Sequence, residues 1–73
     1  MSHEVIEHGT IKIIELVGVS QRSFEDAVEE VIKRTSKSIE GITGIEVCKF
    51  SAKIDKGSLV EYHASVKLAF IVK

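Results

Sequence analysis

The chain has a single cysteine, Cys48, among its 73 residues. One thiol excludes an internal disulfide and a four-ligand thiolate metal site, and it suits a reducing cytosol. Surplus charge is missing too: Lys plus Arg is 10 and Asp plus Glu is 11, a formal net charge of -1. A nucleic-acid binder needs a basic excess on one face, so no nucleic-acid partner is expected. No apolar run approaches the ~20 residues of a membrane span, and no membrane association is expected. Met1 to Thr10 carry acids and histidines without an apolar stretch, so no secretory leader is expected and the chain reads as cytoplasmic. The glycines build no phosphate-cradling loop, since Gly41 and Gly44 are an isolated pair. Nothing assembles a nucleophile, a base and an orienting group, so the chain does not read as an enzyme.

What is present is a globular composition, with 44% hydrophobic and 29% charged residues, enough for one small domain. Residues 1–9 read as a flexible polar tail and residues 10–73 as the domain. His3, Glu4, Glu7 and His8 carry donor atoms of the kinds metals use, but a tail has no second shell to hold them, and no metal site is read there. A chain this short buries only about 60% of its unfolded surface, so self-association is expected.

The run Thr10 to Val19 is β-branched and apolar on both parities, as in a strand covered on two sides. Gly18 fits a bulge or a close backbone approach. A helix follows. Ser23 and Asp26 have the spacing of a capping box, and Phe24, Ala27, Val28, Val31, Ile32, Thr35 and Ile39 form one apolar stripe. Glu29 to Lys33 and Glu30 to Arg34 are spaced as favourable ion pairs, acids precede bases along the helix, and Gly41 fits the residue just past its end. Ile45 to Ile54 reads as a second strand, Asp55-Lys56-Gly57-Ser58 as a turn, and Val60 to Val72 as a third strand. In that strand Val60, Tyr62, Ala64, Val66, Leu68, Phe70 and Val72 make one apolar face, with Glu61, His63, Ser65 and Lys67 opposite. The order is β-α-β-β, an α+β fold. A three-stranded antiparallel sheet has its longest strand in the centre and one helix on one face. One helix cannot cover such a strand, so the remaining surface is expected to meet other copies.

Cys48, with no histidine beside it in sequence, reads as a buried structural thiol. His63 is either a surface residue or a polar ligand contact.

The run Lys12-Ile13-Ile14-Glu15-Leu16-Val17-Gly18-Val19-Ser20, followed by Ser23-Phe24-Glu25-Asp26-Ala27, resembles the opening of the dodecin family. Glu46-Val47, Glu61-Tyr62 and Phe70 match further family positions, so the resemblance covers Ile11 to Val72. It implies a sheet wrapped on the helix and a hollow homododecamer. It also implies a non-enzymatic protein that binds and stores a flavin, FMN or riboflavin.

The departures fall at the implied ligand site of Gly44, Ile45, Glu46 and His63. The family tryptophan that stacks on the isoalloxazine ring corresponds to Gly44, and the chain has no tryptophan at all. The family glutamine that reads the flavin's pyrimidine edge corresponds to His63, and an imidazole cannot copy a bidentate amide. Flavin binding is therefore expected to be weakened or altered. The alternative is a structural shell that binds no flavin and holds an ion, another cofactor or a partner.

Overall fold

The computed structural model describes residues 9–73, and the chain runs β1 (Thr10–Ser20), α1 (Phe24–Thr35), β2 (Ile42–Asp55) and β3 (Ser58–Val72). Most of the expected tail, with His3, Glu4, Glu7 and His8, lies outside the described residues. The sheet has the order β1-β3-β2, and both pairings are antiparallel. The α+β fold with β3 in the centre is therefore the one read from the sequence. Among the described residues, no helix is long and apolar enough to cross a membrane.

The helix begins where local chemistry fixes it. Ser23 is extended, at φ -166°, and its hydroxyl accepts the Asp26 N–H at 2.9 Å. The return half of the capping box is replaced. The Asp26 carboxylate accepts the Ser20 hydroxyl at 2.6 Å, and Ser20 Oγ takes the Arg22 and Ser23 N–H groups at 2.9 and 3.4 Å. The buried Ser20 thus ties the end of β1 to the start of the helix. Glu30 and Arg34 pair at 2.8 Å on the exposed face.

The helix ends at Thr35, short of Gly41. Thr35, Ser36 and Ser38 are poor helix formers whose hydroxyls compete for backbone groups. The chain tightens there, with Lys37 N–H on Arg34 C=O at 3.3 Å and Ser38 N–H on Thr35 C=O at 3.0 Å. Gly41, at φ 76°, turns the chain into β2, and its carbonyl accepts the Ile71 N–H at 3.1 Å.

The even-numbered residues of β3 face α1. Ala64, Val66 and Leu68 form the core with Ala27 and Val31, and Ile14, Leu16, Val28 and Ile42 pack around it. Gly18 is the close approach, since a Cβ there would stand 2.0 Å from the Ala27 carbonyl oxygen. A helix of 12 residues spans about 18 Å and a strand of 15 residues about 50 Å, so α1 covers only the middle of β3. The long axis of 51 Å reflects that mismatch.

Several sequence expectations shift. β2 starts at Ile42, which puts Gly44 inside the strand, and β3 starts at Ser58. Among the described residues only one face of β1 is covered. Ile14 and Leu16 face the helix side, while Ile11, Ile13, Val17 and Val19 are 46–58% exposed. Cys48 is exposed rather than buried. Its position explains this: the register slips between Val47 and Lys49, so Cys48 is the extra residue of a bulge on an edge strand.

Candidate functional site

Cross-strand partners share a face of a sheet, so the register places each candidate side chain. Gly44 lies opposite Ala69, Glu46 opposite Lys67, and Ser51 opposite His63, all on the face away from α1, here the outer face. Ile45 lies opposite Leu68, which is fully buried, so Ile45 belongs to the helix face. Bulges at Thr43 and Cys48 set this pattern, because each extra residue resets the alternation of β2 against β3.

Gly44 and Glu46 are therefore neighbours on the outer face, and His63 is not beside them. From Ala69, the partner of Gly44, to His63 is six residues along β3, roughly 20 Å. One ring-sized ligand cannot touch both positions on a single protomer. Space at Gly44 is open, since a Cβ there would meet nothing within 4 Å.

Between the two positions runs a charged stretch of the same face. Lys67 stands between Glu15 on β1 and Glu46 on β2, and Lys49 and Val17 flank Ser65 in the next row. An open groove of about 480 Å³ is lined there by Glu15, Val17, Cys48, Lys49, Ser65 and Lys67. A second groove, of about 400 Å³, runs between the edge of β1 and the helix, with Gly18, Val31, Arg34 and Thr35 in its wall. None of the candidate residues Gly44, Ile45, Glu46 and His63 lines either groove.

His63 has a partner that sequence reasoning passed over. Its Nε2 lies 2.6 Å from Glu61 Oε1, and each side chain is about one-third exposed. The hydrogen bond from His63 holds the Glu61 carboxyl below its ordinary value, and Lys53, opposite Glu61, acts in the same direction. The signal was available: residues two apart on a strand share a face. A further cluster lies where the helix starts, with Phe24 centred 5.0 Å from Phe50 and 4.9 Å from Tyr62. Among the described residues no group of three or more His, Cys, Asp or Glu side chains is placed to hold a metal ion.

Solved structures share this architecture. The dodecin of Streptomyces coelicolor is 24% identical and superposes with a TM-score of 0.90, over 93% of this chain and 97% of that one. The dodecin of Streptomyces davaonensis is 19% identical, with a TM-score of 0.87 over 92% and 98% of the two chains. A calcium dodecin of Mycobacterium tuberculosis, described as having a novel calcium-binding site, is 23% identical, with a TM-score of 0.78 over 88% and 91%. No curated protein matches the chain. At these identities the structures establish the fold. The family model for Dodecin matches residues 10–73, nearly the whole sequence, and the chain therefore belongs to the dodecin family.

Proposed function

We propose that this protein is a non-enzymatic, cytoplasmic ligand-storage protein. Copies assemble into a hollow homododecamer that holds a flavin, riboflavin or FMN, at sites formed between protomers. The observation that carries this reading is the separation of Gly44 from His63 on one uncovered sheet face. A site that uses both must draw them from different copies. The same face carries Ile11, Ile13, Val17 and Val19 in the open, and a core of five buried apolar residues leaves a single protomer short of burial. Assembly answers both.

Within such a site Gly44, with Glu46 beside it, occupies the place of the stacking residue and His63 supplies a polar contact, while Ile45 stands on the opposite face of β2 and is left out of it. A tryptophan buries ~150–250 Å² and adds ~0.5–1.5 kcal/mol in stacking, so its absence at Gly44 weakens a flavin by a hundredfold or more, at about 3 kcal/mol. The test is a fluorescence titration of refolded, ligand-free protein with riboflavin and FMN. Quenching at micromolar flavin by the large assembly supports the reading, and no quenching contradicts it.

The open space at Gly44 favours a second reading, in which the shell has given up flavin. The calcium dodecin of M. tuberculosis points to an ion as the replacement. Calcium binding by an assembly that leaves riboflavin fluorescence unchanged supports this second reading.

A further inference from the structure

Glu61 and His63 project from the outer face of β3 with His63 Nε2 at 2.6 Å from Glu61 Oε1. An ionised carboxylate has only lone pairs to offer, so the proton between them belongs to Nε2. A neutral imidazole has one N–H and one lone pair. With the proton at Nε2, the lone pair is at Nδ1. Across the sheet His63 faces Val19 on β1 and Ser51 on β2, neither of which titrates. The charged groups around the pair are Lys53, opposite Glu61, and Lys49, diagonal to His63. The helix packs on the other face.

We infer that Glu61 is a positioning residue for His63: it fixes the imidazole as the Nε2–H tautomer, so His63 accepts an N–H from the ligand and loses that ability when protonated. The ligand class is a planar ring with an imide-type N–H edge, such as the pyrimidine edge of a flavin, and the inference rests on the flavin reading above. Protonation takes a proton from solvent onto Nδ1. Both ring nitrogens are then donors, and the ligand's N–H meets an N–H instead of a lone pair. A ligand held through that lone pair is therefore released when His63 is protonated.

The test compares riboflavin with 3-methylriboflavin, which lacks the imide N–H, by fluorescence quenching on the refolded assembly at about pH 8 and about pH 5.5. Riboflavin is expected to bind about tenfold more weakly at the lower pH, the size of one hydrogen bond. 3-Methylriboflavin is expected to bind about tenfold more weakly at the higher pH and to show no pH dependence. His63→Gln should flatten the riboflavin profile, because an amide does not titrate. Glu61→Gln should weaken binding at the higher pH, with Glu61→Asp restoring part of it. Equal binding of the two flavins, or a riboflavin profile unchanged in His63→Gln, overturns the inference while the flavin reading stands. Absence of quenching by both flavins on an intact assembly overturns the flavin reading and this inference with it. Light scattering monitors the assembly, and the comparison at the higher pH decides the question even where acid dissociates it.

Discussion

Three glycines and one lysine show how single positions carry different structural demands. Gly18 is required by contact: Ala27 oxygen and the Val31 side chain occupy the space of a Cβ, at 2.0 and 2.6 Å. Gly18→Ala is expected to destabilise the fold by about 1–3 kcal/mol or more, because the helix must move off β1. Chemical denaturation measures it, and a neutral result would contradict the close approach. Gly44 is the opposite case, open and in the ordinary extended range. Gly44→Trp is expected to fold normally and to raise riboflavin affinity about a hundredfold. An unchanged isotherm would count against Gly44 as the stacking position. In the β2–β3 turn both Lys56, at φ 50°, and Gly57, at φ 79°, lie in the left-handed region, which makes a two-residue hairpin turn of the I′ kind. Lysine tolerates that conformation poorly. Lys56→Asn is expected to stabilise by up to about 1 kcal/mol, and a loss of stability would mean that the Lys56 side chain has a contact worth more than the strain.

Among the elements, legibility followed the range of the interactions that define them. The start of α1 was legible because its cap, Ser23, and its apolar stripe are local signals. Its end was not, because Thr35-Ser36-Lys37-Ser38 keeps a helical charge and apolar pattern while its hydroxyl-bearing residues weaken the backbone ladder. The central place of β3 followed from its length, since its apolar-polar alternation is the longest in the chain. The bulges at Thr43 and Cys48 were illegible, since a bulge is a property of β2 against β3 and leaves no mark in either strand alone. That is why the exposure of Cys48, and the division of Ile45 from Gly44 and Glu46, came only with the register. The pairing of Glu61 with His63 needed no more than the alternation already in hand. The helix packs over the middle of β3, where Leu68 is 0% exposed. Leu68→Asp places an unpaired charge among Ala27, Val31 and Val66 and is expected to cost more than the ~2–5 kcal/mol of a Leu-to-Ala change. Sizing and circular dichroism are expected to show no soluble folded assembly. A soluble, native-like assembly would reverse the assignment of the faces.

At the scale of the molecule, one protomer is an incomplete object. The helix closes less than half of β3, five apolar side chains make the core, and β1 presents Ile11, Ile13, Val17 and Val19 to the outside. The hairpin beyond the helix adds Phe50, Ile54, Leu59 and Val60 to the exposed apolar surface. A surface of this kind is stable in water when other copies cover it. The proposed ligand positions have the same character, since Gly44 and His63 are too far apart on one protomer to share a ligand without a second copy. Burial and binding are thus expected to appear together, at the level of the assembly. Native mass spectrometry of protein refolded from denaturant with riboflavin reads both at once. The expected result is a particle of twelve chains that retains riboflavin. A monomer, or a twelve-chain particle without riboflavin, would contradict a flavin store built between copies.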